Sequence, residues 1–372
     1  MTCYGIFSSR FAPLTGGIES FTSSLASFLV ARGDRAIVVT SRLTEDPEHE
    51  TLENGVEVWR LPSRPLVGGR FPYPKKGAAY NACLDELAKA GIDRVLVNAR
   101  FYPHSVTGLE FAQRIGAPAV VLDHGSAPIV FGSPLADKAA GAYERHMTKK
   151  VKAFNPRFAG ISTASTRYLK TLGIDTETVI PNATDADAFR AEASDHDWRS
   201  ELGCGNETTL VAFVGRLAPE KGAMTLAQAA QLLGDGYVVA FAGDGAQRAD
   251  IEKLGLANTR LLGNLNHPEL SALLRDADVF CLPTRSEGFC TSLLEAASWG
   301  LIPVIPRVGG VDEVLGNPAY WGMTLLERTP EAVAEAIKAL GPRPAHEFDL
   351  VQRTREMCGW KHTLECLDAA FC

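Results

Sequence analysis

The sequence contains no run of about 18 or more consecutive apolar residues, so no segment of it reads as a membrane-spanning helix. A secretory leader is not expected either. Met1–Phe7 is short, has no basic start and passes directly into Ser8-Ser9-Arg10, which leads to the expectation of a cytoplasmic protein. Zinc-finger and disulfide patterns are missing as well: the eight cysteines are scattered, with no Cys-x-x-Cys pair and no His at metal-binding spacing, and read as small semi-buried thiols. There is no low-complexity tract and no short repeat. No nucleic-acid motif or interleaving of basic and aromatic residues is present, so nucleic acid is not an expected partner. A Gly-x-Gly-x-x-Gly run after a strand is absent too, which argues against a nicotinamide dehydrogenase.

What is present is 372 residues of ordinary globular composition, 46% hydrophobic and 22% charged. That length exceeds one core and suits two α/β domains of comparable size with a cleft between them. The net charge of −7 is unevenly spread, with 21 Lys and Arg against 17 Asp and Glu in residues 1–180, and 16 against 27 in the remainder. A basic first half argues for an anionic partner there.

Hydrophobic periodicity gives the organisation. Cys3–Phe7 reads as a strand, Phe21, Leu25, Phe28 and Leu29 recur at helical spacing, Gly33 stops the helix, and Ala36–Thr40 reads as the next strand. Apolar runs at Val95–Val97 and Ala119–Leu122, with helical segments Ala78–Ala90 and Val106–Ile115, continue a βαβ alternation that predicts parallel strands. After Ile180-Pro181-Asn182 a second series follows, with strands at Leu210–Val214, Tyr237–Ala242, Val279–Leu282 and Pro303–Ile305. Helices are expected at Met224–Leu233, Pro268–Arg275 and Thr291–Trp299. The boundary is expected near Pro181–Phe189, giving domains 1–182 and 183–352. Residues 353–372 read as a terminal helix over Thr354–Ala370 that packs back on the first domain.

Ligands of open α/β sheets bind beyond the carboxyl ends of the strands. Four stretches occupy such positions. In Thr15-Gly16-Gly17-Ile18-Glu19, two adjacent glycines let backbone N–H groups approach an anion at a helix N-terminus, although a glycine turn without a ligand looks the same. In Gly215-Arg216-Leu217-Ala218-Pro219-Glu220-Lys221-Gly222, the Arg and the Lys can converge on one diphosphate or remain solvated loop cations. Gly243-Asp244-Gly245 makes a tight turn with room for a base or ribose. The fourth and most specific stretch is Pro283-Thr284-Arg285-Ser286-Glu287-Gly288-Phe289-Cys290-Thr291-Ser292-Leu293-Leu294-Glu295. A loop presents Glu287, Gly288 permits close approach, a helix N-terminus offers N–H groups to phosphate, and Glu295 about a turn further on can accept from ribose hydroxyls.

In these stretches the chain resembles the retaining glycosyltransferases of the GT-B fold, specifically glycosyltransferase family 4, the glycosyl transferases group 1. The family's two carboxylates are spaced as Glu287 and Glu295 are, with seven residues between them. Gly16–Glu19 matches the family's N-terminal glycine loop, Ile180-Pro181-Asn182 its interdomain segment, and Gly215–Gly222 its diphosphate loop. Leu261–Asn264, Ala277–Val279 and Pro303–Gly310 also fit. Three positions depart from the pattern: Ala183 stands where the family usually has Gly, Cys290 where Gly or Pro is common, and Asn98 at a strand end where many relatives carry His.

The resemblance implies an α/β fold of two Rossmann-like domains facing each other across a cleft. It implies transfer of a hexose-type sugar, with retention of configuration, from a nucleoside-diphosphate sugar to a hydroxyl of a glycan or polyprenyl-diphosphate-linked acceptor in cell-surface polysaccharide or glycolipid assembly. UDP-sugar is expected over GDP-sugar, and neither a metal nor a resident cofactor is expected. Carried over residue by residue, Glu287 would contact the donor sugar beside Gly288, Phe289, Cys290 and Thr291. Glu295 would hold the ribose, Arg216 and Lys221 the diphosphate, and Gly16 and Gly17 a phosphate from the other domain. His124 would reach the transferred sugar. Gly215, Gly243, Asn264 and Leu265 would surround the nucleoside.

Asp185-x-Asp187 and Asp276-x-Asp278 superficially suggest metal binding, but the first falls in the interdomain segment and the second just before a strand. Arg145, Lys149, Lys150, Lys152 and Arg157, interleaved with Met147, Val151 and Phe154 and supplemented by Arg70, Lys75 and Lys76, read either as solvated charge or as a contact to the anionic inner membrane face. Three competing readings share parts of the pattern: a nucleotide-sugar epimerase, a phosphorylase, and a catalytically inactive relative that binds a partner.

Overall fold

The computed structural model describes the chain apart from residues 15, 44, 68, 70, 129–132, 318–322 and 346–347, and apart from the side chains of 323 and 348. Thr15 of the first glycine loop and Arg70 of the basic set therefore lie outside the described residues. Two compact units are formed, one by Met1–Ile180 with Leu364–Cys372, the other by Pro181–Thr363.

In the first unit, β1 (Cys3–Ser8), β2 (Arg35–Arg42), β3 (His49–Thr51), β4 (Glu57–Leu66), β5 (Phe71–Pro74), β6 (Arg94–Asn98), β7 (Ala119–Asp123) and β8 (Arg157–Gly160) make one sheet among the described residues. Its order is β3-β4-β2-β1-β6-β7-β8, with β5 on β4. The central strands are apolar on both faces, as in Ile37-Val38-Val39 and Val95-Leu96-Val97, because helices such as Gly17–Ala31 and Pro103–Ile115 belong to the crossovers between them. The expectation of purely parallel pairing fails at one edge: β3 and β5 both run antiparallel to β4. The connections through Gly55 and Gly69 are too short for a crossover, so the chain turns back on itself. Successive strands are laid down on opposite sides of β1, and the winding reverses between β1 and β6, the place where such sheets open a ligand crevice.

The second unit contains β9 (Thr209–Val214), β10 (Tyr237–Ala242), β11 (Thr259–Gly263), β12 (Val279–Cys281), β13 (Ile302–Pro306) and β14 (Met323–Leu325), in the order β11-β10-β9-β12-β13-β14 with every pairing parallel. Its winding reverses between β9 and β12. Phe213, Phe241, Phe280, Leu273 and Leu294 are buried between sheet and helices; each such side chain stabilises the unit by about 1.5–3 kcal/mol. Helix His267–Asp276 starts at a capping box, in which the Asn266 side chain accepts from Glu269 N at 2.9 Å.

The tail departs from the single helix predicted over Thr354–Ala370. It forms Phe348–Met357 and Trp360–Phe371, broken at Cys358-Gly359. The carbonyl of Cys358 leaves the helical ladder to accept from Thr184 N at 2.9 Å, and Gly359, a poor helix former, lies against the Arg355 carbonyl where a Cβ would collide. The last residues are built into the first unit. Asp368 pairs with Arg94 at 2.6 Å and Arg32 at 2.8 Å, Phe371 packs edge-on to Tyr4, and Arg157 donates to the carbonyl of Ala370 at 3.2 Å.

Candidate active site

In the second unit, the loops after β9 and β12 meet where the winding reverses. Gly222, with φ 76°, ends the short turn Pro219–Lys221 and starts helix Ala223–Leu233; a Cβ there would strike the Pro283 carbonyl, so only glycine lets the two loops touch. Glu220 clamps the loops together. Its carbonyl accepts from Arg285 N at 2.7 Å, and Thr284 Oγ1 lies 3.1 Å from the same carbonyl.

That clamp brings Lys221 Nζ to 2.6 Å from Glu287 Oε1, which also accepts from Thr284 Oγ1 at 2.9 Å. The Lys221 and Glu287 side chains are only 22% and 11% exposed, so their attraction is little screened. Arg216 is placed differently from Lys221: its guanidinium is 70% exposed and pairs with Glu220 at 2.8 Å. The two cations expected to converge on one diphosphate are thus each held by a different carboxylate. Thr284, fully buried, was not legible as a site residue, because a lone Thr in a loop carries no pattern.

The Glu287 loop rests on a second glycine pair. Cys290 N donates to Gly309 O at 2.9 Å and Gly309 N to Glu287 O at 3.2 Å, while Phe289 packs where a Cβ on Gly310 would sit. A Cβ on Gly309 would overlap the carbonyls of Glu287 and Gly288. Gly309→Ala is therefore expected to displace the loop, costing about 1–3 kcal/mol of stability together with most donor affinity. Gly17→Ala offers the contrast: a Cβ there meets nothing within 4 Å, so chemical denaturation should find the fold unchanged while binding of a close-approaching phosphate weakens.

Helix Thr291–Ser298 begins at Cys290 without a side-chain cap, which leaves N–H groups available to an anion in addition to its positive dipole end. Cys290 itself is buried, and burial pushes its thiol up to about 12. Thr291 is exposed and Glu295, a turn later, is half-buried. Burial pushes the Glu295 carboxyl up to about 7, with Glu192 acting in the same direction and His267 against it. A further cavity of about 200 Å³ is lined by Gly215, Arg216, Gly243, Asp244, Asn264 and Leu265 among others. Gly243 has φ 135° and lies against the Gly215 carbonyl, so a side chain would close that wall.

In the first unit, Gly16 precedes helix Gly17–Ala31 without a side-chain cap, and Glu19 of its first turn pairs with Arg10 at 3.2 Å. His124, one residue beyond β7, lies half-buried with its Nε2 3.2 Å from Asn98 Oδ1 and its ring edge-on to Phe21. Burial lowers its pKa to about 4, so the imidazole is neutral at ordinary pH. Beside it, Arg100 is buried with Asp123 and Glu144, a cluster that sequence reading missed because its members are far apart in the chain.

Two other expectations change. Of the apolar residues interleaved with the basic set, Met147 and Val151 point into the core and Phe154 packs against it, because they occupy the inner face of helix Pro134–Lys152 and its end. Arg157 is engaged by the carbonyls of Ala370 and Cys372. What remains outward is charge: Arg145, Lys149 and Lys152, with Thr148, Thr171 and Leu172, line a cavity of about 350 Å³, and Lys150, Lys75 and Lys76 are exposed. The Asp-x-Asp pairs serve the fold. Asp185 caps helix Ala186–Ala191, Asp187 pairs with Arg355, Asp276 accepts from Trp198 N, and Asp278 accepts from Leu210 N and Arg199.

Two doubly wound units, with loops gathered where each sheet's strand order reverses, match the GT-B class of glycosyltransferases. The chain belongs to that class: the family model described as Glycosyltransferase Family 4 matches residues 15–188, and that described as Glycosyl transferases group 1 matches residues 194–357. The chain is similar to the teichuronic acid biosynthesis glycosyltransferase TuaC of Bacillus subtilis, at 27% identity over 300 residues that cover 78% of this chain and 72% of that protein. It is similar also to a GDP-mannose-dependent alpha-mannosyltransferase of Mycolicibacterium smegmatis, at 24% identity over 86% of this chain and 83% of that one. Among solved structures, sucrose-phosphate synthase from Thermosynechococcus elongatus shares the fold with a TM-score of 0.74 at 18% identity, covering 99% of this chain and 98% of that one. The protein is a glycosyltransferase. No helix among its described residues is long and apolar enough to cross a membrane.

Proposed function

We propose that this glycosyltransferase moves a hexose-type sugar, with retention of configuration and without a metal ion, from a UDP-sugar to a hydroxyl of a glycan or polyprenyl-diphosphate-linked acceptor. The observation that carries the reading is the Lys221–Glu287 pair, 2.6 Å apart at the meeting of the β9 and β12 loops. An ammonium held there by a carboxylate can turn to a diphosphate as negative charge builds on it, while the carboxylate accepts from sugar hydroxyls. Arg216 and the uncapped start of helix Thr291–Ser298 add to that stabilisation of the leaving group. In the first unit, Gly16 and Gly17 are assigned to a phosphate oxygen and His124 to the transferred sugar.

A double displacement needs a second carboxylate as nucleophile. Glu287 bonds Lys221 and Thr284 instead, which supports same-face attack with the departing phosphate taking the acceptor's proton. UDP-sugar is the donor proposed, with its base assigned to the cavity lined by Gly243, Asn264 and Leu265. GDP-mannose, the donor in one relative's name, is the competitor in a thermal-shift comparison.

Glu295 supplies the sharper test. A ribose diol donates to a carboxylate better than to a carboxylic acid, so donor binding favours the ionised form of a group otherwise poised at about 7. Affinity should be complete above about pH 8 and fall as pH drops through 7, with uptake of a proton on donor release. Glu295→Gln is expected to bind about ten- to a hundredfold more weakly at high pH and to show a flat profile. Titration calorimetry across this range that finds an unchanged pH dependence in the variant would count against the ribose assignment.

The outward charges Arg145, Lys149, Lys150 and Lys152 support an electrostatic rather than inserted contact with an anionic membrane surface. Retention on vesicles containing anionic lipid at low salt, lost on raising salt and in a variant with all four replaced by Gln, is the expected result; equal retention by that variant would place the contact elsewhere.

A further inference from the structure

His124 ends a line of buried polar groups whose shortest hydrogen bonds share one direction. Ser8 ends β1, Asn98 ends β6, and Thr22 lies on helix Gly17–Ala31; all three are 0–1% exposed. The single hydroxyl hydrogen of Thr22 is assigned to the Ile18 carbonyl at 2.7 Å, the nearer of its two acceptors, with Ser8 Oγ at 3.4 Å, and that of Ser8 to the Arg10 carbonyl at 2.8 Å. With its hydrogen so placed, Thr22 Oγ1 accepts from Asn98 Nδ2 at 2.7 Å, an arrangement that sets the amide nitrogen of Asn98 toward Thr22. The amide oxygen must then face His124, where an acceptor demands a donor: Nε2 carries the hydrogen, at 3.2 Å. A neutral imidazole protonated at Nε2 keeps a lone pair at Nδ1. The edge contact with Phe21, 5.3 Å between centroids, fixes the ring plane.

We propose that Asn98, anchored by Thr22, is a positioning residue that locks His124 in the Nε2–H form and presents Nδ1 as a fixed hydrogen-bond acceptor for one hydroxyl of the transferred sugar. The sugar-contact half of this rests on the role assigned to His124 above; the lock itself does not. Burial keeps the ring neutral, and the neighbouring Asp123, which favours the cation, is itself engaged with the buried Arg100 and with Gly125 N. A neutral ring with a fixed lone pair selects donors bearing a hydroxyl at the contacted carbon. Deoxygenation there leaves the lone pair without its partner, whereas a cationic His would tolerate an acceptor in its place.

The test reads the tautomer directly, by nitrogen NMR of the full chain labelled at histidine, with His124→Ala identifying the resonances. The wild type at about pH 7 is expected to show one neutral form, protonated at Nε2. Thr22→Val releases the Asn98 amide and should yield a mixture of tautomers, as should Asn98→Leu, whereas Thr22→Ser keeps the hydroxyl and should restore the single form. Wild-type His124 protonated at Nδ1 or at both nitrogens would overturn the lock, as would a single Nε2–H form persisting in Thr22→Val. In transfer assays His124→Ala and Asn98→Leu should each lower kcat by about ten- to a hundredfold, and the double variant no further than His124→Ala alone. Full turnover by His124→Ala with the expected spectra would overturn the sugar contact and leave the lock standing.

Discussion

Lys221→Ala is expected to lower kcat by about 10²- to 10³-fold at saturating donor, the range seen when one preorganised donor to a developing anion is removed. Two losses combine. The positive charge opposite the departing diphosphate disappears, and Glu287 keeps Thr284 as a partner but loses the cation 2.6 Å away, so a carboxylate confronts the phosphates uncompensated. Arg216→Ala should act in the same direction with a smaller effect on kcat, since its exposed guanidinium is paired with Glu220 across solvent. Steady-state transfer by Lys221→Ala near the wild-type rate, with the fold intact by circular dichroism, would refute the diphosphate assignment.

The second large effect concerns stability. Arg100 is 1% exposed and bridges Asp123 and Glu144, which are equally enclosed. Tyr168 donates to the other oxygen of Glu144 at 2.9 Å and Arg100 Nε to Thr148 at 3.3 Å, so the cluster ties β6 and β7 to helices Pro134–Lys152 and Thr163–Thr171. Arg100→Ala leaves two buried carboxylates without their cation and should cost about 3–5 kcal/mol, read from a urea transition followed by probes in the first unit. Replacing the whole cluster, as in Arg100→Met with Asp123→Asn and Glu144→Gln, should cost less, because no charge is then left stranded. Asp123 also accepts from Gly125 N at 2.8 Å and so shapes the turn carrying His124; Arg100→Ala is expected to impair transfer even where it remains folded.

The strand-helix alternation was legible because parallel strands buried on both faces are written as short continuous apolar runs, such as Val95–Val97, between segments of helical period. The strands β3, β4 and β5 were not, since β3 has only three residues, Pro62, Pro65, Pro72 and Pro74 break the alternation of β4 and β5, and the pairing partner is not encoded locally. The two loops that carry Arg216 with Lys221 and Glu287 with Glu295 were legible as strand-to-helix connections, because their glycines have a steric purpose. Thr22, Arg100 and Glu144 were not, because each becomes meaningful only through a neighbour distant in the chain.

The sequence by itself determined the two-unit α/β organisation, the loops that follow β9 and β12, and the types of group they offer. These follow from local rules: apolar period, glycine conformations and helix termini. Only the tertiary structure decided which charges face one another. It gave Lys221 to Glu287, turned Met147 and Val151 inward so that the basic helix presents charge without an apolar face, and broke the terminal helix at Cys358, whose carbonyl Thr184 claims. Pairing, burial and the direction of a hydrogen-bond chain depend on atoms brought together from separate strands, and no window of sequence contains them.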